Sequence, residues 1–274
     1  MATLTLTPLT TRPAFHITWR SPLRLATELN VREPRLAIYG ALLLALLLPM
    51  AVAASFDDRM LRDSNVWIKP MKFSLSIAVL AFTTAWFAGH LPERVRAGRA
   101  MDWIVWLLVL TGSFELGYIA LQAGLGSGSH YNLSDAFHIA MYALMGVAAL
   151  VLTATQPMLA WLLYRHGDRS LPLAYRQAVL LGLVLTFVMG AGAGMLLSNI
   201  QPPHGGAAVP LFGWSLQGGD LRPAHFVGIH AEQLLPAVGM AAGVLGVARA
   251  KLMLWAATLA YAALFAALVV WGLS

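Results

Sequence analysis

The sequence predicts an all-α, polytopic membrane bundle of about seven transmembrane helices, with the N-terminus cytoplasmic and the C-terminus outside. Three observations carry this expectation. Of 274 residues, 59% are hydrophobic and 11% charged, with a mean hydropathy of +0.70, whereas soluble domains carry about 25% charged residues. Seven apolar stretches, approximately 35–54, 67–90, 101–123, 136–164, 173–198, 222–247 and 251–273, each reach the ~20 residues that cross a ~30 Å hydrocarbon core. The third observation is the placement of the basic residues. With the N-terminus inside, the inner segments hold Arg12, Arg20, Arg24, Arg32, Arg35, Arg94, Arg96, Arg99, Arg165, Arg169, Arg176, Arg249 and Lys251, and the outer segments only Arg59, Arg62 and Arg222. That asymmetry orients a chain with its basic loops inside.

The net charge of +6 is thus a signal of topology, and no nucleic-acid partner is expected. The expected partners are membrane lipid and a lipid-soluble or small-molecule substrate, in a bacterial cytoplasmic (inner) membrane; the sequence sets no oligomeric state. Cysteine is absent, which excludes disulfides, thiolate metal ligands and thiol nucleophiles.

Taken in order, residues 1–34 read as a cytoplasmic interfacial arm, with Phe15, Trp19, Leu23 and Leu25 set among arginines. Residues 35–274 form the transmembrane domain. The first span ends in Ala51-Val52-Ala53, which looks like a signal-peptide cleavage site, but the preceding arm is long for such a peptide. A retained span is expected; cleavage would leave six spans in the same orientation. The longer connections lie outside, at 55–66, 124–135 and 199–220. The last contains Pro202, Pro203, Gly205, Gly206, Gly218 and Gly219, which break regular structure and predict a folded-back lid. Ser134 and Asp220 stand where N-caps of the fourth and sixth spans are expected. Gly190 and Gly194 form a small-xxx-small pattern for close helix approach.

The histidines divide by side. His130, His138, His204, His225 and His230 fall outside or in the outer half, and His16, His90 and His166 on the inner side. At ~1.5 Å of rise per residue, His225 lies about 5 Å and His230 about 12 Å below the outer end of the sixth span, and Glu115 about 13 Å below that end of the third. Thr111, Glu115, Tyr118 and Gln122 share one helical face, as do Lys69, Lys72 and Ser76 on the second span and His138 and Tyr142 on the fourth. Lipid offers these groups no partner, so the stripes are expected to converge on one outward-facing cavity. Blander accounts exist for several members. Lys69 and Lys72 can snorkel to headgroups, His138 can be a packing histidine, and Met141 with Met145 can be apolar filler.

His225 and His230, five residues apart, diverge by about 140° on a regular helix, so their ligands must come from neighbouring helices or from a local bulge at Gly228. A metal ion (Zn, Fe or Cu) held by His130, His138, His225 and His230 is one expectation, with Glu115 as the catalytic acid or base. Haem b is the other, with Lys69, Lys72 and Arg222 pairing its propionates. Either would support redox or hydrolytic chemistry on a lipid-soluble substrate. The alternatives are a proton- or ion-coupled transporter, against which the inner half offers little polar chain beyond Gln156 and a few threonines, and a ligand-sensing membrane protein.

Three stretches, WIKPMKFSLS (67–76), the Glu115-to-Gln122 spacing leading into SHYN (129–132), and GWSLQGGDLRPAHFVGIHAEQ (213–233), resemble a family of uncharacterised bacterial multi-pass membrane proteins. The family pattern reads SHFN at the second motif and ends HALQ at the third, so Tyr131 and Glu232 depart from it and Glu232 stays outside the expected ligand set. The resemblance implies a multi-pass fold and brings no activity. The seven-span zinc hydrolases related to adiponectin receptors have a shorter paired-histidine spacing, and no likeness to them is drawn.

Overall fold

The computed structural model describes residues 22–210, 212–243 and 246–274; Phe15, Trp19 and His16 of the expected arm lie outside the described residues. The chain is mostly helical, and among the described residues six helices are long and apolar enough to cross a membrane. Helix α1 (Pro22–Arg32) is amphipathic and docks through Arg32, whose guanidinium lies 4.0 Å from the Trp86 ring centroid and donates to the Trp86 carbonyl at 2.9 Å. Helix α2 (Pro34–Phe56) starts at a Glu33 cap, and Arg35 ties that cap to Asp102 by ion pairs of 2.8 and 2.6 Å. A hairpin of β1 (Met60–Leu61) and β2 (Ser64–Asn65) follows, turning through Arg62 and Asp63, both at positive φ. Then come α3 (Ile68–Ala88), the single turn α4 (Glu93–Arg96), α5 (Arg99–Gly124), α6 (Ala136–His166) and α7 (Leu173–Asn199).

Small residues let these helices approach. Ala78, Ala81, Ala85 and Ala88 of α3 are buried on one stripe, and a Cβ on Gly40 of α2 would come within 2.5 Å of the Phe82 ring. The main core runs between α2, α3 and α5 and continues to α6 and α7. Inside it, the Ser74 hydroxyl donates to the Leu43 carbonyl at 2.6 Å, since a hydroxyl without a partner is costly where no water reaches.

The expected sixth span is not one helix. It breaks at His230 into α8 (Arg222–Ile229) and α9 (Ala231–Ala242), and the chain returns through α10 (Val247–Leu273). The two pieces descend beside α7. At its C-terminal part, a Cβ on Gly190 would meet Ile229 at 2.8 Å; midway, one on Gly182 would meet the Ala231 carbonyl and Glu232 Cα at 2.9 Å; near its start, Gly239 of α9 lies against Ala174 and Ala178. The pair therefore runs the length of α7 in the opposite direction. Gly190 and Gly194 both face α8, as their pattern predicts, whereas Gly192 faces nothing within 4 Å.

The break is stabilised by neighbouring side chains. In a continuous helix the Glu232 N–H would bond the Gly228 carbonyl; here it donates to Thr186 Oγ1 of α7 at 3.0 Å. The Val227 carbonyl accepts the Tyr261 hydroxyl of α10 as well as the His230 N–H. The Glu232 N–H and the Val227 carbonyl thus have partners outside the regular ladder, as backbone inside an apolar bundle requires.

One end of the bundle carries the loops 57–67, 125–135 and 200–221 and is called here the lid end; the other carries Arg94, Arg96, Arg165, Arg169 and Arg176 and is called the arginine end. At this end the connection between α7 and α8 is a folded loop. It closes on itself through an isolated bridge between Ala208 and Ser215, and it is moored by Lys72 Nζ to the Phe212 carbonyl at 3.0 Å and by the Gly205 N–H to Asp63 at 2.9 Å.

Candidate functional site

Two of the expected N-caps take other roles. Asp135, not Ser134, caps α6, its carboxylate accepting the His138 N–H at 3.0 Å. Leu221, not Asp220, occupies the cap of α8. Asp220, fully buried, clasps the lid. It accepts the Ser215 N–H at 2.9 Å, the Arg222 N–H at 3.0 Å and the Arg222 guanidinium at 2.7 Å. Burial alone would push the Asp220 carboxyl up; the Arg222 side chain and the two amides outweigh it and hold it below the ordinary carboxylate range.

Under the lid, α3, α5 and the 125–135 loop bring one group of expected residues together. Lys69 Nζ donates to Ser129 Oγ at 2.9 Å, and Ser129 Oγ lies 3.2 Å from His130 Nδ1. Glu115 is 2% exposed and within electrostatic reach of Lys69, yet its Oε1 has no hydrogen-bond partner among the described residues. Tyr118 and Gln122, on the same stripe of α5, are buried too, and the Tyr118 hydroxyl and Gln122 Oε1 also lack partners there. The His130 ring sits between Phe73 and Tyr142, with centroids at 6.0 and 5.9 Å. Burial first, then the nearby Lys69 cation, push this loop histidine down to about 3, so it is a neutral imidazole at ordinary pH.

A second group sits at the helix break. His225 Nδ1 lies 3.1 Å from the Gly190 carbonyl, and His230 Nδ1 lies 3.1 Å from Gln233 Oε1. Gln233 Nε2 donates to Glu232 Oε1 at 3.0 Å and to Thr83 Oγ1 at 3.1 Å. Glu232 is fully buried, and its second oxygen, Oε2, has no partner among the described residues. An aromatic cluster roofs this group: the Phe226 ring lies 4.3 Å from that of His230 and 5.3 Å from that of Trp214 in the lid.

The expected histidine ligand set does not converge. His138 turns to Asp135, at 2.6 Å, and lies 3.5 Å from Gln122 Nε2. His225 and His230 each bond within their own surroundings, and no three His, Asp or Glu side chains among the described residues are grouped to hold a metal ion. The cations expected at haem propionates are engaged as well: Arg222 by Asp220 and the Gly213 carbonyl, Lys72 by the lid, Lys69 by Ser129.

Residues to which the sequence assigned no role in the site, Gln156 and His90 among them, extend the polar line. Thr83 meets Gln233; its neighbour Thr84, fully buried, lies 3.4 Å from Gln156 Nε2, which also donates to Thr155 Oγ1 at 2.9 Å. Further toward the arginine end, His90 Nε2 lies 3.0 Å from the Tyr175 hydroxyl. The paired threonines in the apolar second half of α3 were the available signal. Helical phase alone gave no means of linking them to α6 and α9. No family model, curated protein or solved structure matches the chain.

Proposed function

We propose that this protein is a proton- or cation-coupled transporter of a bacterial cytoplasmic membrane, crossing the bilayer seven times with α8 and α9 as one discontinuous span. On this reading residues 1–34 form the cytoplasmic arm and 199–220 the outer lid, in the orientation given by the arginines. The observation that carries the proposal is the break at His230. It sets Glu232, fully buried and with one oxygen unpartnered, in the first turn of a half-helix, the end at which backbone N–H groups and the helix dipole favour negative charge. Glu115 and Lys69 form a second ionisable pair nearer the lid. Enclosed ionisable groups of this kind mark ion paths in membrane proteins.

The metal and haem readings are not carried forward, because they need convergent ligands and available cations. The polar line from Glu232 through Gln233, Thr83, Thr84 and Gln156 supports transport instead, since it supplies the inner-half groups that transport requires. Liposomes holding a pH-sensitive dye under an imposed pH gradient test the proposal. Wild-type protein is expected to conduct protons or to exchange them for a cation, and Glu115→Gln and Glu232→Gln to abolish the flux with an unchanged gel-filtration profile. No flux in the wild type, or undiminished flux in both variants, removes the reading.

A further inference from the structure

The arginine end carries two adjoining concavities that the transport proposal does not use. One is a groove of about 520 Å³ between α5 and α6, lined by Ala100 and Ile104 from the first helix and Ala154, Pro157, Met158 and Trp161 from the second. Its lining is wholly apolar in residue type. The other is a pocket of about 290 Å³ beside the α6–α7 turn, whose lining includes His90, Arg165, Asp168, Arg169 and Arg176. Three arginines there face one carboxylate.

Arg165 joins the two. Ala154, Met158, Trp161 and Arg165 follow i, i+4, i+7, i+11 and share one face of α6. The Arg165 guanidinium lies 5.3 Å from the Trp161 ring centroid, at the head of the groove, and the same residue lines the pocket. Trp161 and Tyr164 are 58% and 64% exposed and stack on each other at 6.1 Å, as amphipathic rings do at headgroup depth.

We propose that this end binds an anionic phospholipid, with an acyl chain in the α5–α6 groove and the phosphate against Arg165, Arg169 and Arg176. Arginine matches phosphate geometry through paired N–H donors, and basic pockets beside apolar helix faces are the recurring form of anionic lipid sites. Arginines at this end would orient the chain wherever they stood. Orientation requires neither a pocket around three of them nor an apolar groove that ends at one. The occupant is therefore a molecule with both a phosphate and a chain.

Native mass spectrometry of full-length protein, released from micelles containing equal phosphatidylglycerol and phosphatidylcholine, tests the assignment. Wild-type protein is expected to retain phosphatidylglycerol selectively. Arg165→Gln, at an exposed position, should lower that retention about fivefold, from the attraction of one arginine near an anionic lipid. Ala154→Phe, which fills the groove, should lower it comparably, and Arg249→Gln, another basic-end cation placed outside both concavities, should leave it unchanged. Equal retention of the two lipids, or equal loss in the Arg249 variant, overturns the proposal. So does displacement by inorganic phosphate alone, which would leave the chain groove without a part. A detergent-stable dimer that Ala154→Phe splits would make the groove an interface between copies and overturn it too.

Discussion

Asp220 shows how much of the lid rests on a single carboxylate. It is fully buried, holds Arg222 by a 2.7 Å ion pair, and receives amides from both the lid and the start of α8. Removing one partner of a buried pair typically costs about 3–5 kcal/mol, because the other charge is left uncompensated. Arg222 is one-third exposed on its side chain, so solvent screening brings the expected cost of Asp220→Asn to about 1–3 kcal/mol. The pH dependence has a fixed sign. The folded carboxyl lies below its ordinary 3.8, so its contribution is complete above that value and is lost as pH falls below it. Thermal unfolding in detergent at pH 7 should show Asp220→Asn melting below the wild type. On acidification below pH 4 the two curves should converge; a gap that persists at low pH would show that the clasp is not electrostatic. The sequence placed Asp220 at the right boundary with the wrong task, because an N-cap and a clasp share the same short polar side chain before a helix.

At the scale of elements, apolar runs located every long helix within a few residues, and the glycine pattern on α7 identified its packing face. The break in the sixth span was not legible. The Glu232 N–H and the Val227 carbonyl at the break are bonded by Thr186 and Tyr261, residues of α7 and α10 that no periodicity within 222–247 contains. A run of twenty apolar residues reads the same whether its hydrogen bonds stay inside it or leave it once. The five-residue histidine spacing did carry information, since it ruled out a ligand pair on one regular helix, but only the fold could say that the helix stops at the second histidine. Thr186→Val keeps the shape of the contact and removes the acceptor, so the Glu232 N–H loses its partner at a cost of about 1–3 kcal/mol. Hydrogen exchange at the amides of 230–234 should rise in that variant while α2 and α5 stay protected. Packing against α7 gives a second check. A Cβ on Gly228 would sit 2.8 Å from backbone of Met189, so Gly228→Ala should destabilise by about 1–3 kcal/mol through overpacking. Gly192→Ala, with nothing within 4 Å, should leave the melting point unchanged or raise it slightly, since alanine is the better helix former. Equal effects at both glycines would mean that α7 does not meet α8 through this face.

Across the whole molecule, the question is whether the polar residues form a path or only a set of satisfied core contacts. Their order favours a path: Lys69, Ser129 and His130 under the lid, His230, Glu232 and Gln233 at the break, Thr83 and Thr84 in the last third of α3, then Gln156 of α6, then His90 and Tyr175 toward the arginine end. The sequence singled out the lid half because its groups are ionisable, and showed Gln156 and a few threonines of the inner half without linking them, because threonine and glutamine in an apolar helix are commonly no more than local bonds to backbone. Gln156 separates the two accounts. It is fully buried, its Nε2 has Thr155 and Thr84 as partners, and its Oε1 has none among the described residues. A residue kept for stability would be a poor choice here, since an unsatisfied buried oxygen costs about 1–3 kcal/mol and a leucine of similar size would not incur it. Gln156→Leu should therefore fold as well as the wild type or better, by thermal unfolding in detergent. If the line conducts, the same substitution puts an apolar segment between Thr84 and the arginine end, and proton flux in liposomes should fall at least about tenfold, the effect of a barrier only about 1.4 kcal/mol higher. Loss of stability with normal flux would assign Gln156 to packing and end the path at Glu232; intact stability with lost flux would extend the path through the bundle.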